Sequence, residues 1–132
     1  MIKLIILTHG SLSEALYETA TRIVGEQEGI LRFSSLNLGP LDLFKSVREE
    51  VLQNDHHETI IAVDLKGGNT WNTACKIAHE NNKVRVVSGV NLGMIFSFST
   101  KRNEYDLDGL VDVLVQDGHR HIDKYIPKSE GI

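Results

Sequence analysis

Four short apolar runs punctuate the chain, at residues 2–7, 30–38, 59–65 and 84–90. The first and third are rich in branched side chains and nearly unbroken by polar ones, the pattern of strands covered on both faces. The stretches between them follow a different period. Leu12, Ala15, Leu16, Ala20, Ile23 and Val24 share one helical face, as do Leu43, Phe44, Val47, Val51 and Leu52. Trp71, Ala74, Cys75 and Ala78 suggest a third helix. Ser11 and Glu14 have capping-box spacing at the start of the first helix, and Gly25 is placed to end it. Gly39-Pro40 breaks the second strand, residues 54–57 form a polar turn, and residues 66–70 read as a loop. Residues 94–100 are expected to be helical, and Leu107, Leu110, Val111 and Leu114 mark a last helix. The tail at 121–126 alternates loosely, as a late edge strand would.

Strands alternate with helices four times, so the expected architecture is α/β: a mainly parallel central sheet of four strands with helices on both faces. Its crossovers are expected to be right-handed. There is no internal repeat, low-complexity tract or linker, which predicts one domain over residues 1–132. A chain of this length buries roughly two-thirds of the surface its unfolded form exposes, enough to fold without staples.

Composition narrows the functional classes. The chain is 41% hydrophobic and 24% charged, ordinary for a soluble globular protein. A net charge of −4 with scattered Lys and Arg argues against nucleic acid. Cys75 is the single cysteine, so no internal disulfide or Cys-rich metal site is expected, and a reducing cytoplasm suits it. No apolar stretch reaches the roughly 20 residues that span a bilayer. The first apolar run is cut off by Thr8-His9-Gly10 without a cleavage site, so it does not read as a signal peptide. G-x-x-x-x-G-K-[ST], G-x-G-x-x-G after the first strand, and G-x-S-x-G are all absent.

In an open parallel sheet, ligands bind beyond the carboxyl ends of the strands. Three strands end there in polar or glycine-rich segments: residues 8–11, 64–70 and 89–93. His9 is the natural reactive group. Imidazole titrates near pH 6.5 in water, so a neutral nitrogen lone pair is common at cytosolic pH. A helix starting near Ser11 would aim free backbone N–H groups at the same rim, where anions are favoured. Asp64, at the end of an apolar strand, needs a partner. Accepting one ring N–H of His9 would satisfy it and leave the other nitrogen bare. A nucleophilic nitrogen beside an anion cradle is the requirement of phosphoryl transfer. Each residue also has a plainer reading: His9 as a turn or capping residue, Asp64 as a loop cap, Gly67-Gly68 as a tight turn. His56-His57 precede the third strand and belong to the opposite rim. His119 and His121 suit the end of the last helix, where a cation complements the dipole. No carboxylate or cysteine cluster joins them, so no metal or cofactor is expected.

The segments "IILTHGSLSEAL", "IIAVDLKGGNTWNTACKIA" and "VVSGVNLGMIF" together resemble the mannose-family IIA components of the bacterial phosphoenolpyruvate:sugar phosphotransferase system. The resemblance covers nearly the whole chain, in order. It implies that His9 takes a phosphoryl group from the phosphocarrier protein HPr and passes it to a histidine of a IIB component. It implies that Asp64 hydrogen-bonds that histidine, and that the Gly67-Gly68 loop helps hold the phosphate. It also implies a homodimer in which a C-terminal strand pairs with the partner's sheet, which would use the tail near 121–132. Gly10, Ser11, Asn69 and Thr70 complete the expected phosphate site. The family commonly has Ser-Pro after the paired glycines, where this chain has Asn69-Thr70, so the phosphate contacts there differ from the pattern. No fused IIB domain is expected after Pro127, and contact with the membrane is expected only through permease subunits. The sequence also admits two other readings: the phosphocarrier of a phosphotransferase-dependent dihydroxyacetone kinase, disfavoured by Lys66-Gly67-Gly68, and a non-catalytic regulatory α/β module.

Overall fold

A computed structural model describes residues 1–128. The elements run β1 (Ile2–Thr8), α1 (Leu12–Val24), β2 (Ile30–Ser34), α2 (Pro40–Gln53), β3 (Glu58–Val63), α3 (Asn69–Glu80), β4 (Val84–Val87), α4 (Leu92–Lys101) and α5 (Leu107–Arg120). The four strands form one parallel sheet in the order β2-β1-β3-β4.

The apolar runs of the two central strands, β1 and β3, are explained by what lies on either side. Along β1, Leu4 and Ile6 point to one face, and Ile5 and Leu7 to the other. The first face is covered by Ala20 of α1, by Met94, Ile95 and Phe98 of α4, and by Leu107, Leu110 and Leu114 of α5. The second is covered by Leu43, Val47 and Val51 of α2 and by Ala74 and Ile77 of α3. Each buried Leu, Ile or Phe contributes about 1.5–3 kcal/mol relative to exposure, so the two layers pin the sheet from both sides.

Several boundaries differ from expectation. The second strand ends at Ser34 rather than at residue 38. Beyond Ser35 the chain turns through Asn37, at φ 64°, which leaves Leu36 and Leu38 exposed. The fourth strand ends at Val87, although Val90 N–H still reaches the Val63 carbonyl at 3.1 Å; Gly89, at φ 73°, breaks the ladder between them. The third helix starts two residues earlier than the apolar period implied, so Asn69 and Thr70 belong to its first turn and not to the loop. The tail is exposed and carries no strand over residues 121–128, and residues 129–132 lie outside the described part. A strand formed against a second copy would have no partner within one chain.

Order and layers place one point apart from the rest. From β1 the chain crosses to β2 over the α1 face, then returns past β1 to β3 over the opposite, α2 face. The direction of winding therefore reverses between β1 and β3, and a crevice opens at their carboxyl ends.

Candidate functional site

That crevice is flanked by the residues that follow β1 and β3. Gly10, at φ 56°, lets the chain leave β1 sharply, and His9 is carried in the turn before α1. The turn is tied at both ends. The buried hydroxyl of Thr8 accepts the Ser13 backbone N–H at 2.6 Å, and the Ser34 hydroxyl donates to the Gly10 carbonyl. On the other side, Gly67 at φ 90° bends the chain after Asp64 and Gly68 caps α3.

Across this gap, 55 residues apart in sequence, His9 and Asp64 are in contact. The His9 backbone N–H donates to Asp64 Oδ2 at 3.0 Å. The ring nitrogen Nδ1 lies 3.1 Å from Oδ2 and 3.2 Å from Oδ1. The Thr70 hydroxyl donates to Oδ1 at 3.1 Å. The Asp64 side chain is 15% exposed and that of His9 43%, so the carboxylate forms the floor and the imidazole the open side. Burial pushes the Asp64 carboxyl up, but the His9 N–H, the His9 ring and the Thr70 hydroxyl outweigh it and hold it below its ordinary value. It is therefore an anion at neutral pH, and an anion facing Nδ1 favours the tautomer with the proton there.

The opposite edge of the ring faces Gly68. A Cβ at that position would lie 3.1 Å from His9 Cε1 and 3.4 Å from Nε2. Only a residue without a side chain leaves Nε2 approachable from this direction. Both α1 and α3 begin on this rim, and the first amide groups of a helix favour anions.

The sequence-derived residues thus fall into two sets. His9, Gly10, Asp64, Gly68 and Thr70 are joined by contacts or lie in the turn that makes them. Ser11 and Asn69 are exposed at the starts of α1 and α3, and Gly67 is exposed in the adjoining turn. Thr70 is not at the surface, where a phosphate could meet it; it is buried against Asp64. Sequence reasoning missed Thr8 and Ser34, whose hydroxyls brace the histidine turn. A threonine at a strand end and a serine in a neighbouring strand carry no periodic signal. Among the described residues, no group of three or more His, Cys, Asp or Glu side chains could hold a metal ion, and no helix is long and apolar enough to cross a membrane.

Comparison with known proteins places the chain in a family. The fructose-specific EIIA component of the phosphotransferase system (PTS) from Bacillus subtilis is 26% identical over 116 residues, covering 86% of this chain and 80% of that protein. The sorbose-specific EIIA component from Klebsiella pneumoniae is 26% identical over 114 residues, covering 83% and 82%. The crystal structure of the phosphotransferase system component EIIA from Streptococcus agalactiae superposes with a TM-score of 0.87 at 26% identity, over 94% of this chain and 97% of that one. The EIIA-man model, described as the PTS system fructose IIA component, matches residues 3–115. The chain belongs to this EIIA-man family, and it is a mannose-family IIA component of the phosphotransferase system.

Proposed function

We propose that this IIA component is a soluble cytoplasmic phosphocarrier, one domain over residues 1–132, that accepts a phosphoryl group on His9 Nε2 from phospho-HPr and delivers it to a IIB component for sugar uptake. One observation carries the reading: Asp64 engages both the backbone N–H and Nδ1 of His9, while Nε2 makes no hydrogen bond among the described residues and borders the bare backbone of Gly68.

In the transfer, the Nε2 lone pair attacks phosphorus in line. The bond from phosphorus to HPr breaks as the Nε2–P bond forms, and the pair of electrons leaves with HPr. The imidazole gains positive charge, which the Asp64 carboxylate stabilises through the Nδ1 proton. The proton stays on Nδ1 throughout, so the step needs no general base. Charge on the transferring oxygens is met by amide groups at the starts of α1 and α3, near Gly10, Ser11, Gly67, Gly68 and Asn69. Delivery to IIB is the same displacement in reverse, with the IIB nucleophile attacking.

A carrier must present its histidine to proteins. Leu12 beside the histidine turn, Leu36 in the β2–α2 loop and Leu65 next to Asp64 are exposed by 42%, 56% and 61%. Apolar side chains from the start of α1 and from two loops at the carboxyl ends of the strands suit a surface that other proteins cover transiently. The exposed Ile122, Tyr125 and Ile126 support a homodimer built by exchange of the tail onto the partner's sheet. Sedimentation as a monomer at working concentration would remove that part of the reading.

Incubation with phosphoenolpyruvate, enzyme I and HPr should add the mass of one phosphoryl group per chain, in an acid-labile form, and a cognate IIB should discharge it. His9→Ala should stay unlabelled; a labelled His9→Ala protein would take His9 out of the reaction.

A further inference from the structure

We propose that Thr70 is a positioning residue for this transfer: its buried hydroxyl holds the Asp64 carboxylate in the orientation that keeps Nδ1 of His9 protonated and Nε2 bare. The inference rests on the phosphocarrier reading and deepens it.

Asp64 is attached to the sheet through a terminal torsion that is soft by nature, because the carboxylate of an aspartate turns in a broad, two-fold well. His9 alone cannot fix it. Its backbone N–H and its ring both reach Oδ2, and the ring nitrogen is almost as near to Oδ1, so a small rotation of the carboxylate exchanges one contact for the other. His9 also lies in a turn, with its side chain 43% exposed to solvent. The anchor on the other oxygen is Thr70 Oγ1, at 3.1 Å from Oδ1.

Thr70 is well suited to that task. It is the second residue of α3 and is 0% exposed. Its branched Cβ restricts the side chain to few rotamers on a helix. The backbone of α3 therefore fixes where the hydroxyl points, and restraint passes from helix to hydroxyl, from hydroxyl to carboxylate, and from carboxylate to imidazole. The same geometry excludes the simpler role expected from sequence. A hydroxyl has one hydrogen, and the one on Thr70 is given to Asp64, so none is left for a phosphoryl oxygen. Asn69, exposed at the preceding position, is free of that engagement among the described residues. Outer partners that orient a ligating histidine through its second nitrogen behave in this way at metal centres, where their loss costs roughly ten- to a hundredfold.

The test compares Thr70→Val, which keeps the branched shape and removes the hydroxyl, with Thr70→Ser, which keeps the hydroxyl. Two quantities are read on the full chain: the nitrogen NMR shifts of the neutral His9 ring, which report the tautomer, and the rate of phosphoryl uptake from phospho-HPr. The expected result is one tautomer, protonated at Nδ1, in the unaltered chain and in Thr70→Ser. Thr70→Val should give a mixture and take up phosphoryl about tenfold more slowly. A Thr70→Val protein with unaltered tautomer and rate would overturn the inference, as would equal defects in the Val and Ser variants. If Thr70→Val does not fold, Thr70→Ala is judged by the same two readouts. His9→Ala runs in the same assay: uptake by that variant would defeat the phosphocarrier reading itself, whereas its silence beside an unaffected Thr70→Val would defeat only the part given to Thr70.

Discussion

At Asp64 two influences oppose each other. Burial favours the neutral acid, while the His9 N–H, the His9 ring and the Thr70 hydroxyl favour the anion and prevail. Asp64→Asn keeps the shape and removes the charge. Uptake of phosphoryl should then fall by about ten- to a hundredfold, the cost of losing a group that orients a histidine through its other nitrogen. Wild-type transfer rates in that variant would give Asp64 another task. Gly68 offers a sharper probe, because its backbone, at φ −88°, accepts any residue. Gly68→Ala should fold and yet transfer slowly, since its methyl would press on Cε1 and Nε2 of His9; unimpaired kinetics would mean the phosphoryl group approaches from elsewhere. The histidine and the carboxylate were legible in the sequence because each interrupts an apolar run at a strand's carboxyl end. The aim of Thr70 was not, because apolar spacing placed the start of its helix at Trp71, and the direction of a hydroxyl depends on which turn of the helix carries it.

The elements from β1 to α5 were legible in kind and less so at their ends. Ser11 and Glu14 have the spacing of a capping box, yet Ser11 makes no capping hydrogen bond and sits at φ −95°, ψ 11°, outside the extended backbone such a cap requires. Glu14 is taken by Arg32 at 2.6 Å. Thr8, in the preceding strand, binds a first-turn amide instead. Thr8→Val should therefore cost about 1 kcal/mol of stability, and Ser11→Ala only about 0.5 kcal/mol or less, measured by denaturant unfolding; the reverse ranking would restore the capping box. A second tie between elements is Asp117 of α5. Lys101 Nζ and Ser97 Oγ of α4 donate to its Oδ2 at 2.7 and 2.5 Å, and Arg120 donates to Oδ1 at 2.7 Å. Lys101 and Ser97 chiefly hold its carboxyl below the ordinary value, against the opposing pull of burial. A folded value below the unfolded one, near 3.9, means that the stabilisation is complete above about pH 4 and is lost as pH falls through the folded value. Asp117→Asn should lose about 1–3 kcal/mol at pH 7 and show a shallower fall of stability in acid. An unchanged acid limb would mean that the α4–α5 tie contributes nothing to it.

For the whole molecule, the alternation of strand and helix predicted the layers, and the burial of both sheet faces bears this out. Strand order was not readable, because a periodic pattern says which side of an element is buried but not which element lies beside it. That order is what brings β1 next to β3 and sets the reversal of winding at the histidine and the carboxylate. Fold and chemistry are joined at this point: the same crossing that completes the sheet delivers an anion to one nitrogen of an exposed imidazole. The most direct measurement of that claim is the identity of the phosphorylated atom, read by phosphorus and nitrogen NMR on the protein loaded from phospho-HPr. The phosphoryl group should be on Nε2 of His9, with the Nδ1 proton still held toward Asp64. A phosphoryl group on Nδ1, or on another residue, would contradict the account.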